Sequence, residues 1–458
     1  MSFIRTFSLA VFACILLLSC GKKYSSTNDV NSNDPYKNRT LKIISTVIGG
    51  KTPEEQALFV KEMERKLGFK IKFFKPPTDV DNILRQVFSS GESYDLINYS
   101  TDRIPIFIDE EAVMPLDDII TKSKVLSDPQ VVPPGEWEII KYNGKIYGVP
   151  AKLEGGRLPI VREDWIKEFN IKDPVTIEDW ENYWKLAKEK KSAYGISTQG
   201  LYDFQPWASG WGIKDGYVIK DGKREIPYSS DQAAPFWDWM AKMYKAGYID
   251  PNFIVNKMKD ARNGFFGDTV ASLGYWDAWV GLFNNAEERR YKEGKFIAKG
   301  INGVPGPDGK VILTRGASNI WFIPYNAENV DMAVKFLEYW NSPDGYMIGS
   351  VGVEGYDYTK DKDGKIVLTD IGKADGLDHG SPRSVSQKWT PPFGYLPGVL
   401  DAQKIVMANG TPMDTPTGWD DALKIIEYWA FKAIKGEISG KGAVIEMRKE
   451  LKEKNLTD

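Results

Sequence analysis

The chain has 458 residues, with 60 Lys and Arg set against 63 Asp and Glu, one His and two Cys. A net charge of −3 with both signs interspersed carries no basic footprint for nucleic acid, and a lone His cannot build a conventional zinc site. The length exceeds what one hydrophobic core fills, so two lobes are expected.

Arg5 precedes an apolar run, Leu9 to Leu18, which ends in Leu17-Leu18-Ser19-Cys20-Gly21. The run is too short for a membrane span, which takes about 20 apolar residues, and reads as a signal peptide over 1–19. The Leu-x-Ser-Cys ending resembles a bacterial lipobox, which implies cleavage before Cys20 and a lipid on its sulfur. Cys14 then leaves with the leader, and the mature chain has no disulfide. Residues 20–38 are Lys, Ser, Thr, Asn and Asp with almost nothing apolar, a flexible tether.

Leu41 to Ile48 reads as a buried strand. Thr52-Pro53-Glu54-Glu55 opens a helix with a capping box and Pro at its first position, along which Phe59, Met63 and Leu67 share a face. Phe69 to Phe74 is a second strand, completing a βαβ unit and predicting a parallel sheet. A helix over Val80 to Ser89 and a strand over Tyr94 to Tyr99 continue the alternation. Lys145 to Pro150 is a short strand after the Asn143-Gly144 turn, and Thr176 to Asp179 opens a Trp-rich amphipathic helix running to about Lys190. Ala333, Phe336, Leu337 and Trp340 mark a core-facing helix, and Asp361 to Lys365 is a hairpin turn. The pattern is α/β throughout.

Enzyme motifs are missing: there is no Gly-x-Ser-x-Gly elbow, P-loop or Gly-x-Gly-x-x-Gly, and His379 sits in a Gly- and Pro-flanked loop. What remains is a set of aromatics in loop sequence: Trp207 and Trp211; Tyr275, Trp276 and Trp279; and Trp389, Phe393 and Tyr395. Sugar rings present polarised C–H faces that pack on aromatic rings, while their hydroxyls need polar partners at the ring edge. Asp277, Arg383, and Glu354 with Tyr356 stand nearby in sequence. Core packing is the alternative for any one Trp; the set together predicts an aromatic cleft.

Several segments, in order, resemble the extracellular solute-binding proteins of carbohydrate ABC transporters, in their large LplA-like lipoprotein subgroup. They are Asp95 in Tyr-Asp-Leu-Ile, Met114-Pro-Leu-Asp-Asp118, Gly144-Lys-Ile-Tyr-Gly-Val-Pro150, and Val161-Arg-Glu-Asp-Trp165 with Pro174-x-Thr176. Tyr244 to Phe253 and Gly352 to Tyr358 are the most specific to the subgroup.

The resemblance implies a two-lobed, periplasmic-binding-protein-like fold of type II, hinged about a central cleft. The expected lobes are 39–155 plus 300–345 and 156–299 plus 346–458. Crossings are expected near Lys152 to Pro159, Ile297 to Gly303 and Ser342 to Gly349. The expected ligand set is Trp276, Asp277, Trp207, Trp211, Trp389, Tyr395, Arg383, Glu354, Tyr356 and Asp102, with Ser100 and Thr101 at a strand end. Trp276 and Asp277 come first, since they follow a strand in sequence that resembles the family's cleft loop.

Some members carry an acidic calcium loop after the helix that follows Arg-x-Asp-Trp. Here that region is Lys188-Glu-Lys-Lys-Ser-Ala193, basic and short, so no calcium is expected at that site; no cofactor and no metal-ligand residues are named, and a structural metal elsewhere stays open. The function implied is capture of a carbohydrate ligand for ABC transporter permease subunits by a monomer. It would be lipid-anchored at the cell membrane, facing the extracellular or periplasmic side, and not an enzyme. A surface glycoside hydrolase or polysaccharide lyase, and a binding protein for a peptide, are the alternatives.

Overall fold

The computed structural model describes residues 35–458 apart from 37, 47–48, 51, 78–79, 102, 152–154, 202, 291–295, 316–318, 376–387, 393 and 417. The chain begins with β1 (Thr40–Ser45), α1 (Pro53–Leu67), β2 (Lys70–Phe74), α2 (Val80–Ser90) and β3 (Leu96–Ser100). β1 pairs in parallel with both β2 and β3. The capping box forms as the sequence predicts. Thr52 Oγ1 accepts from the Glu55 N–H at 3.2 Å, and the Thr52 N–H donates to Glu55 Oε2 at 3.1 Å. After β4 (Val149–Pro150) the chain leaves this sheet.

The second sheet follows. It is built from β5 (Arg157–Arg162), β6 (Tyr194–Ile196), β7 (Val270–Trp276) and β8 (Ala298–Gly300), in the order β8-β5-β7-β6. Its helices are α3 (Ile177–Lys191), α4 (Ala234–Lys245), α5 (Met258–Phe266) and α6 (Ala278–Arg290). β9 (Leu313–Arg315) then leads back to β10 (Asn319–Phe322), which runs antiparallel between β3 and β4 and completes the first sheet, β2-β1-β3-β10-β4. α7 (Val330–Trp340) and α8 (Pro343–Ser350) cover it. β11 (Tyr358–Lys360) and β12 (Ile366–Leu368) form the hairpin expected at Asp361 to Lys365. α9 (Val399–Asn409), β13 (Gly410–Pro412), α10 (Trp419–Ile434) and α11 (Gly440–Glu453) finish the second lobe.

Two lobes result because each sheet gathers its own apolar side chains. Ile43, Phe59, Leu96, Phe336 and Trp340 belong to one core, while Trp180, Trp184, Trp237, Ile426 and Met447 belong to another. A third cluster, with Leu158, Leu273, Phe283 and Val406, fills the other face of the second sheet. Burying one such side chain stabilises by roughly 2–3 kcal/mol.

Packing moves the expected lobe boundaries. Ile301, Val304 and Leu313 lie in the second-lobe clusters, so the stretch from 300 to β9 packs there and not with the first lobe. Ile348 and Val353 lie in the first core, so α8 and the turn after it stay with the first lobe. The crossing expected at Ser342 to Gly349 is therefore a helix of that lobe, N-capped by Ser342. Among the described residues, no helix is long and apolar enough to cross a membrane.

Asp95 ties the first lobe together. It is fully buried and accepts from the backbone N–H groups of Lys42 (2.8 Å), Glu328 (3.1 Å) and Asn329 (2.8 Å), joining β1 to the start of α7. Asp95→Ala strands these donors out of water and should lower stability by about 2–4 kcal/mol, measured by urea denaturation. A change below about 0.5 kcal/mol would show that the network is dispensable.

Candidate functional site: the seam between the lobes

The crossings decide which strand ends meet. β4 stops at Pro150 and β5 starts at Arg157; β9 stops at Arg315 and β10 starts at Asn319. The C-terminal ends of β1 and β3 in one sheet, and of β6 and β7 in the other, therefore turn toward the same seam. At its floor Gly156 bridges Arg315 in antiparallel fashion. A side chain at Gly156 would come within 2.3 Å of the Thr314 carbonyl, and one at Gly155 within 1.7 Å of Asp277 Oδ2, so glycine is required for so close an approach. A third crossing lies within 388–398. Lys388 pairs with Asp128 and Trp389 packs on Tyr346 in the first lobe, while the Pro397 carbonyl accepts from Asn284 on α6 at 3.1 Å.

The second-lobe wall is built on the β5–β7 register, which sets Trp276 opposite Arg157. The Arg157 guanidinium lies 5.1 Å from the Trp276 ring centroid, and its Nε lies 3.7 Å from Asp203 Oδ1. Both charged residues are 1% exposed. Asp203 reaches this position because Gly274 on β7 lets its carbonyl approach. Its Oδ2 accepts from Thr198 Oγ1 at 3.4 Å, and its Oδ1 makes no hydrogen bond among the described residues. Burial pushes the Asp203 carboxyl up to about 7 against the pull of Arg157 and Thr198. Half-buried Asp215 is also raised by burial, again opposed by Arg157.

The facing side is a partly open cavity of about 100 Å³ lined by Thr101, Ile104, Tyr142 and Tyr147 from the first lobe and by Met413 and Asp414 after β13. Asp414 is raised by burial, with Lys214 opposing. It bridges Gly216 and its carbonyl accepts from the Tyr217 N–H at 2.8 Å, so the cavity abuts the loop that carries Asp215. Above it, Arg103 donates to Asp81 of its own lobe and, at 2.5 Å, to Asp420 of α10, an ion pair that spans the two lobes.

The expected residues divide. Trp276 is half-buried on the second-lobe wall, and Thr101 lines the cavity. Asp277 is 1% exposed: its Oδ1 accepts from the Ala278 N–H at 2.6 Å at the start of α6, and Gly155 packs on its carboxylate. It is a cap under the crossing, not a side chain at the open cleft. Trp207 is fully buried, edge-on to Trp180 at 5.1 Å, and Trp211 packs on Phe236 and Trp239 at 5.4 Å, so both belong to the second-lobe core and not to the cleft.

Trp389 and the exposed Tyr395 ride on the third crossing. The Tyr356 hydroxyl is 3.3 Å from Glu55 Oε1 at the start of α1, on the cleft side of the first lobe. Glu354 is exposed and pairs with Lys360 at 2.8 Å, which makes it a surface residue of the turn before β11. Asp102, Arg383, Phe393, His379 and Cys20 lie outside the described residues.

Arg157, Asp203, Asp215, Tyr142 and Asp414 were not foreseen. Arg157 had a usable signal, since it falls within the crossing expected at 152–159. The basic run expected to lack a calcium loop is the last turn of α3, closed by Ser192 in the left-handed region (φ 54°).

Residues 59–356, well over half of the chain, match the bacterial extracellular solute-binding protein family. The chain belongs to that family. It is 23% identical over 384 residues to lipoprotein LipO of Bacillus subtilis (79% of this chain, 74% of LipO). It is also 23% identical over 242 residues to the polygalacturonan/rhamnogalacturonan-binding protein YtcQ of the same organism (49% of this chain, 48% of YtcQ). The calcium-free crystal structure of the alginate-binding protein AlgQ2 superposes with a TM-score of 0.68 at 19% identity, covering 90% of this chain and 94% of AlgQ2. The fold is thus that of two-lobed binding proteins.

Asp203 supplies a pH test. A carboxyl raised above its unfolded value stabilises the fold fully below the unfolded pKa, and that stability is lost as pH rises through the folded one. Between about pH 4 and pH 8 the wild type should therefore lose Tm relative to Asp203→Asn, which stays neutral. A difference in Tm that does not vary with pH would count against a buried, proton-holding Asp203.

Proposed function

We propose that this protein captures a sugar or oligosaccharide between its lobes and delivers it to the permease of an ABC transporter, without bond chemistry. The observation that carries the reading is the half-buried Trp276 ring, backed by Arg157 and standing at the interlobe seam of a solute-binding fold. A flat ring at a strand end suits the C–H face of a sugar, and the half-buried carboxylates of Asp215 and Asp414 nearby suit its hydroxyls. The ligands named for YtcQ and AlgQ2 are polysaccharides, which supports the same class here. Ligand that touches both walls favours the closed arrangement, and closure creates the surface that a permease reads.

The lipobox-like Leu-x-Ser-Cys20 and the hydrophilic stretch after it support a lipid anchor with the body held off the membrane. Cys20→Ser should move the protein from the membrane fraction to the soluble extracytoplasmic fraction. An unchanged distribution would remove the anchor from the reading.

Capture is tested by a thermal-shift screen against oligosaccharides, with product analysis of each hit. Tm should rise with ligand concentration and the sugar should be recovered intact. Trp276→Ala should weaken binding by about 1–3 kcal/mol with little loss of unliganded Tm. Recovery of cleaved sugar would overturn the binding-protein reading.

A further inference from the structure

We infer that Arg262 holds the carboxylate of an acidic sugar, so that the ligand captured at the seam carries a uronate unit; the inference rests on the sugar-capture reading above. The fold places Arg262 firmly. It stands midway along α5, whose Ala261 and Phe265 are buried in the third apolar cluster. Its guanidinium donates to the Tyr275 hydroxyl at 2.8 Å and lies 4.3 Å from the Trp279 ring centroid. Tyr275 is the residue before Trp276 at the C-terminal end of β7, and Trp279 is in the first turn of α6. The guanidinium is therefore held at the strand end that turns to the seam. Its anchor, Tyr275, is one strand position from the Trp276 ring, on the other face of β7.

Charge sets Arg262 apart. Among the described residues, every other arginine whose side chain is described lies within 4.0 Å of a carboxylate oxygen, Arg157, Arg162 and Arg315 of the same lobe included. Arg262, half-buried, has no carboxylate so close among them. Its Nε and Nη2 make no hydrogen bond there, yet neither is sealed from solvent, so both can meet a ligand.

A partly dehydrated cation without a counter-charge favours an anion over a neutral group. A carboxylate also offers the guanidinium fork two parallel acceptors. Stacking on Trp279 and the bond to Tyr275 fix the fork before ligand arrives, so little freedom is lost on binding. A sulfate ester brings the same charge on a tetrahedral group, and the test separates the two.

The test is calorimetric titration of the full chain in mild detergent at about pH 7. Oligogalacturonates, oligoglucuronates and oligomannuronates are each compared with their own methyl esters, with the length-matched neutral sugars and with sulfated forms of those sugars. The best uronate should bind about tenfold or more tighter than its ester, which keeps the ring and loses the charge. Arg262→Met keeps an apolar stem against Trp279 and should erase that preference while leaving affinity for the ester unchanged. Arg262→Lys, which keeps the charge without the fork, should retain only part of it, and gives a second reading should the Met variant fold poorly. An ester bound as tightly as its acid, or a preference kept in full by either variant, overturns the assignment and leaves sugar capture standing. A sulfated sugar bound more tightly than any uronate overturns the carboxylate as the group recognised. Heat from no sugar overturns sugar capture and this inference with it.

Discussion

Everything at the seam follows from the close approach of two crossing segments. Gly156 lies so near the Thr314 carbonyl, and Gly155 so near the Asp277 carboxylate, that a Cβ at either position would overlap its neighbour. That contact brings the end of the first sheet to the start of the second. It also fixes the register in which Arg157 faces Trp276. Shifting either strand by one residue would turn the alternate side chains inward and move the guanidinium away from the ring. The crossing is therefore the base on which the second-lobe wall is laid.

The wall itself is costly. A guanidinium and a carboxylate, each 1% exposed, have left water, and their 3.7 Å separation recovers only part of that cost. The carboxyl answers by holding its proton to about pH 7. Such a cluster contributes little to stability that an apolar core could not supply.

The segments that resemble the family most closely are mainly staples. Asp95 gathers backbone donors at β1 and α7, and Asp117 accepts from the Ile146 N–H at 3.2 Å, bracing the Gly144 turn. Arg162 is buried between Asp164 and Asp268 with its guanidinium 4.5 Å from the Trp165 ring centroid. Asp250 accepts from Ser197 and Asn256 at 2.7 Å each, pinning the end of β6 to the chain entering α5. Asp357 accepts from the Val353 N–H at 2.6 Å and closes the Gly352 turn. Each satisfies buried polar groups that would otherwise be stranded. These motifs mark the fold faithfully and say little about the ligand.

Local chemistry is legible from one segment at a time, and there the sequence by itself was decisive. The capping boxes at Thr52 and Thr176, the βαβ start and the Asp361 hairpin depend on residues within a few positions of each other, and all form. Two lobes followed from length and from the resemblance. Which aromatic faces the cleft did not, because burial depends on partners far along the chain. Trp207 and Trp276 stand in similar loop-like sequence, yet Trp207 is enclosed by Trp180 and Trp184 from α3 while Trp276 ends a strand at the seam. Arg157 and Asp203 are 46 positions apart and meet only because β5, β7 and the loop after β6 converge. Only tertiary packing could decide that, since the energy of burying a ring or pairing a charge belongs to the contact and not to the residue.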